Sequence, residues 1–96
     1  MIRLTELELA APKVLVKLEG YLTESTLQVL VQALSEYQQA GVQQVQLMAD
    51  GLLLIDPLAL EQALSRFPPG LEICFHTSRL VNRQLLADGG VTVVFQ

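Results

Sequence analysis

The sequence of 96 residues holds one cysteine, one histidine and six basic residues. A lone Cys74 cannot close an internal disulfide, which fits a reducing compartment. Six scattered Lys and Arg against ten acids give a net charge of −4. Without a basic stripe to neutralise phosphates, nucleic acid is disfavoured as a partner. The same shortage argues against docking on anionic lipid. Long apolar runs are also missing: the longest, Leu52 to Ile55, is far below the roughly 20 residues a membrane span needs. The opening MIRLTELEL places acids where a signal peptide would carry its apolar core, so a cytoplasmic protein is expected. There is no low-complexity tract, long linker or internal repeat.

Catalytic signatures are absent too. GxSxG, P-loop, GxGxxG and HExxH patterns do not occur. Nucleophilic catalysis needs a nucleophile, a base and an orienting group, and His76 is the only histidine. Cys74 and His76 stand two apart on an expected strand and share a face, with Glu72 the one further candidate ligand there. Zinc usually takes three or four protein ligands, so no metal site is expected. Asp50 and Asp56 offer a carboxylate pair for acid–base work, but they read more simply as a turn residue and a helix cap. The expectation is no enzyme and no cofactor.

What is present is apolar material: 51% of residues are hydrophobic, enough for one packed core and one domain spanning 1–96. Residues 2–9 and 13–19 read as strands around an Ala10-Ala11-Pro12 turn, with Val14, Val16 and Leu18 alternating against Lys13, Lys17 and Glu19. Leu27, Leu30, Val31, Leu34 and Tyr37 recur at helical spacing over 24–40, with Thr23 as cap and Gly41 as stop. Residues 42–48 form a third strand, Val45 and Leu47 facing away from Gln44 and Gln46. A loop around Asp50-Gly51 then leads to Asp56-Pro57, a helix-start signal. That helix runs to about Arg66, with an inward stripe of Leu60, Ala63, Leu64 and Phe67. Residues 71–76 make a fourth strand, Ser78 caps a helix to about Ala87, and Val91–Phe95 is the last strand. The order β-β-α-β-α-β-α-β predicts an α/β fold with a mainly parallel sheet. Strands three and four alternate in polarity, whereas doubly covered parallel strands read as continuous apolar runs. Helices are therefore expected mostly on one face.

Three segments carry a family resemblance: VLVKLEGYLT (14–23), VQLMADGLLLIDPLAL (45–60) and RLVNRQLLADGGV (79–91). Together they resemble the STAS domain, the fold of bacterial anti-sigma factor antagonists, also found in tails of anion transporters and in a lipid-transport subunit. Gly20 stands in the family's glycine position. Gly51, Ile55, Asp56 and Leu60 match the segment that ends in the family's Asp-Ser-Ser-Gly-Leu, and the third segment resembles the last helix with its closing Gly. In regulatory members the residue after that Asp is a Ser or Thr phosphorylated by the partner kinase; here it is Pro57. Leu58 and Ala59 replace the next Ser and Gly, Met48 replaces an earlier Asp, Thr23 stands where many members have Asp, and Gln84 takes an apolar position.

The resemblance implies a protein-interaction module without phosphorylation at that position. Its expected partner is an anti-sigma or kinase-like regulator, or alternatively a subunit of a lipid or anion transport complex. A small-ligand sensor is a further alternative, although no phosphate-cradling glycine loop supports it. The expected docking residues are Thr23, Glu24, Asp56, Pro57, Leu58 and Glu61. Helical geometry agrees in part: Leu58 falls off the inward stripe beside Glu61, Gln62 and Ser65, and Val29 falls off that of the first helix.

Overall fold

The structure, a computed structural model, describes residues 1–95. Alternating polarity in the first twenty residues produces a hairpin, β1 (Ile2–Ala10) and β2 (Lys13–Leu22). Then follow α1 (Glu24–Gln39), β3 (Gln44–Ile55), α2 (Pro57–Arg66), β4 (Glu72–Thr77), α3 (Leu80–Asp88) and β5 (Val93–Phe95). The five strands lie side by side in sequence order. β1 is antiparallel to β2, and every later pairing is parallel. Each new parallel strand joins beside the last, and crossovers share the right hand, so α1, α2 and α3 fall on one face of the sheet.

Burial follows that geometry. Val14, Val16 and Leu18 of β2, Val45, Leu47 and Ala49 of β3, and Phe75 of β4 lie buried beneath the helices. Leu27, Leu30 and Leu34 cover them from α1, and Leu60 and Ala63 from α2. The other face carries Lys13, Lys17, Gln44, Gln46, Glu72 and His76 and is only partly shielded. Tyr37 ties α1 to the hairpin edge by donating its hydroxyl to Glu6 Oε1 (3.0 Å). Burial and then the Glu6 carboxylate push its phenol pKa up to about 12.

Four details differ from the sequence reading. β3 does not stop at residue 48; it runs to Ile55 through two bulges against β2. Asp50-Gly51 lies inside the strand, because a bulge absorbs the local backbone kink that this dipeptide would otherwise spend on a turn. On α2 the buried stripe is Ala59, Leu60 and Ala63, and Leu64 is 54% exposed. The small Ala59 and Ala63 rotate the packing face away from Leu64. Ser78 does not cap α3, whose N-cap is Arg79 without a side-chain cap bond; the Ser78 hydroxyl goes to Asp50 instead. The last strand starts at Val93, two residues later than expected.

Candidate protein-interaction site

At the carboxyl ends of parallel strands the chain leaves the ladder and enters helices, so unpaired N–H groups collect there. Two of the three helix starts are firmly capped. Thr23 Oγ1 accepts from the Thr26 N–H (3.4 Å), and the Thr23 N–H donates to Thr26 Oγ1 (2.9 Å), a reciprocal capping box with threonine in the third helical position. The Thr26 hydroxyl also donates to the Tyr21 carbonyl (2.7 Å), which fixes how β2 turns into α1. At α2, Asp56 Oδ1 accepts from the Leu58 N–H (2.9 Å), and Pro57 takes the first helical position, where no N–H is needed.

These two starts are neighbours. Leu22 pairs with Ile55 in the sheet, and the Asp56 N–H donates to the Leu22 carbonyl (2.8 Å). Thr23, Glu24, Asp56, Pro57, Leu58 and Glu61 therefore share one end of the molecule. Glu24, Pro57, Leu58 and Glu61 are exposed, and Thr23 and Asp56 are half-buried in their capping roles. Leu58 stands 55% exposed and Val29 is 49% exposed, both off the packing faces.

A third structure at the same end was not legible in advance. Asp50 is no turn residue: Oδ1 accepts from the Thr77 hydroxyl and the Ser78 N–H, and Oδ2 from the Ser78 hydroxyl, each at 2.7 Å. The Ser78 hydroxyl first, then the Thr77 hydroxyl and the Ser78 N–H, hold its carboxyl below the usual carboxylate range. Arg79 Nη1 donates to the Leu52 carbonyl (3.1 Å). Buried Asn82 donates to the carbonyls of Ala49 (3.1 Å) and Leu52 (3.2 Å). These bonds satisfy backbone groups freed by the β3 bulges and pull the start of α3 against β3.

Sequence reasoning also missed several exposed apolar residues near the carboxyl ends of the strands. Tyr21, Leu53, Leu54, Leu80 and Val81 are all exposed. The LLLI run held a signal: Leu52 and Ile55 point inward while Leu53 and Leu54 do not, a pattern visible only once the bulge is placed.

The chemistry elsewhere is sparse. Cys74 and His76 share the open face, opposite Gln46 and Met48, and burial pushes the Cys74 thiol up. Among the described residues no group of three His, Cys, Asp or Glu is placed to hold a metal ion, and no helix is long and apolar enough to cross a membrane. A groove of about 770 Å³ runs between the end of α2, the 67–71 segment and β4, walled by Leu64, Phe67, Leu71, Ile73 and Val91. It opens at the opposite end of the sheet and takes no part in the cluster of helix starts.

The architecture is that of the anti-sigma factor antagonists, the STAS fold. An anti-sigma factor antagonist from Mycobacterium paratuberculosis superposes with a TM-score of 0.72 at 12% identity, covering 94% of this chain and 79% of that one. The anti-sigma factor antagonist SpoIIAA in its unphosphorylated form gives 0.72 at 11% identity, covering 98% of this chain and 88% of that one. No protein-family model matches the sequence, and no curated protein does. At such identities the likeness establishes the fold.

Proposed function

We propose that this chain is a non-enzymatic protein-interaction module of the STAS type. It regulates or scaffolds a cytoplasmic partner protein and lacks a phospho-switch at the usual position. One observation carries the reading: two capped helix starts converge around exposed Leu58, on a fold shared with two proteins described as anti-sigma factor antagonists. Leu58 supplies an apolar anchor, and Glu24 and Glu61 a polar rim, the usual division of labour in a protein interface. Pro57 has no hydroxyl to accept phosphate, and Asp56 is engaged in capping α2.

The test compares the unaltered protein with a Leu58→Asp, Glu61→Lys variant in capture of partners from the native cell. Circular dichroism controls for folding. Loss of the captured partner with an intact spectrum supports the site. Undiminished capture moves the interface elsewhere, first to the open sheet face carrying Gln44, Gln46, Glu72 and His76.

A further inference from the structure

We infer that the outer edge of β4 takes up an added strand: an extended segment of a partner protein, apolar and polar by turns and basic on its polar side. The site lies at the opposite end of the sheet from the helix starts and is independent of the docking reading above. β4 is paired with β3 over Glu72–His76 but with β5 only over Phe75–Thr77. The Glu72 N–H donates to the Gln43 carbonyl on the β3 side (2.9 Å), and the Phe75 N–H to the Thr92 carbonyl on the β5 side (2.9 Å). Along a parallel strand successive residues address opposite neighbours. The Leu71 carbonyl and the N–H and carbonyl of Ile73 therefore point outward, before β5 begins. Acceptor, donor and acceptor in that order are what a further strand complements. The opposite edge of the sheet is less inviting, because β1 is interrupted by a bulge between Glu6 and Glu8. A second copy offering its β1 is for the same reason a poor donor.

The groove of about 770 Å³ gives this edge its walls. Glu72 and Cys74 line it from the open face of β4, and Ile73 and Phe75 from the helix face. It thus flanks the edge of the strand and not either face alone. On the helix side Leu64, Phe67 and Val91 form an apolar wall. Leu64, left off the packing face of α2, reaches across to the α3–β5 link: its Cδ1 lies 3.1 Å from where a Cβ on Gly90 would stand. The 67–71 segment is held in place by the Phe67 N–H on the Ala63 carbonyl (2.9 Å) and Gln38 Nε2 on the Pro69 carbonyl (2.7 Å). A wall already ordered lowers the cost of binding. The open stretch Leu71–Cys74 is about 13 Å long, room for four residues of an extended chain. Every second side chain of the guest meets the apolar wall, and the others lie beside Glu72. Glu72 is the one charged residue among those lining the groove, and Arg66, at the end of α2, is turned to Gln28 on α1. A Lys or Arg on the polar side of the guest is therefore favoured.

The test uses three synthetic peptides of about eight residues, twice the open length. One alternates valine with lysine and threonine. The second replaces its lysines by glutamate, and the third keeps the first sequence but has every backbone nitrogen methylated, so that it donates no main-chain hydrogen bond. Each is titrated into isotope-labelled protein and followed by amide chemical shifts and hydrogen exchange. The lysine peptide should bind saturably at one to one, with shifts centred on Leu71–Cys74 and on Val91 and Thr92, and should slow exchange of the Ile73 amide. The glutamate peptide should bind more weakly, and the methylated one should not saturate. A Leu64→Asp protein with unchanged circular dichroism should bind the lysine peptide at least about tenfold more weakly, the scale of losing a central apolar contact. Shifts centred elsewhere, an Ile73 amide that exchanges as before, equal binding of either control peptide, an unaffected Leu64→Asp variant, or self-association through β4 in sedimentation would each overturn the inference.

Discussion

Asp50 holds three donors from the β4–α3 turn, and the cost of protonating it sets the sign of one pH effect. Its carboxyl lies below the ordinary carboxylate range in the folded protein. The stability it contributes is therefore complete above the unfolded-state value and is lost as pH falls through the folded one. Unfolding by urea, followed from about pH 7 down to about pH 3, should show a midpoint that falls less steeply in Asp50→Asn than in the unaltered protein. Parallel slopes would show that Asp50 carries no acid-linked stability. Asp56 plays a smaller and more local part. Asp56→Ala removes a side-chain acceptor from the start of α2 and should cost roughly 0.5–2 kcal/mol. Pro57→Ser should leave the unfolding midpoint nearly unchanged, because serine is tolerated at a first helical position. Both Asp56 and Pro57 were readable from the dipeptide alone, since cap chemistry is local. Asp50 was not, because its donors lie 27 and 28 residues away.

At the scale of elements, the helices and strands announced themselves wherever one face is apolar and the other polar. β3 is the instructive exception. Its second half serves two faces through two bulges, so the alternation that marks its first half breaks into the run Leu52–Ile55. Gly51 is what lets the bulge sit close to β2: a Cβ there would lie 2.7 Å from the Leu18 carbonyl oxygen. Gly20, with φ of +101°, accommodates the other strand at the same level, where a side chain would strike the Met1 carbonyl. On α2, periodicity placed Leu60, Ala63 and Phe67 on the packing side but took Leu64 in place of Ala59, because it weighs leucines above alanines. The two leucines make this measurable. Leu60→Ala should destabilise by about 2–5 kcal/mol, the range for an emptied core site. Leu64→Ala should stay within about 0.5 kcal/mol, as exposed positions do. Equal losses in thermal or urea unfolding would place Leu64 in the core and reverse the assignment.

At the scale of the whole molecule, topology was legible because sequential strands joined by helices leave few alternatives. Polarity on strands three and four then told that one face stays open. The proposed docking surface was legible only in part. Helix starts can be read from sequence, but exposed apolar residues are what the core leaves over, and Leu53, Leu54, Leu80 and Val81 look like core residues until packed. The proposed lack of a phospho-switch at the start of α2 is a claim at this scale. Incubation with candidate partner kinases followed by intact-mass and peptide measurement should give no phosphate on residues 54–62, a segment without Ser, Thr or Tyr. Stoichiometric phosphate there, necessarily on Asp56 or Glu61, would restore a switch.

The claim that a partner protein seats on the helix starts is tested most directly by photo-crosslinking in the native cell. A benzophenone amino acid replaces Leu58 in one protein and Gln46, on the open sheet face, in another. The account predicts a specific adduct with one partner from position 58 and none from position 46. An adduct with that partner from position 46 alone would contradict it and move the interface to the open face.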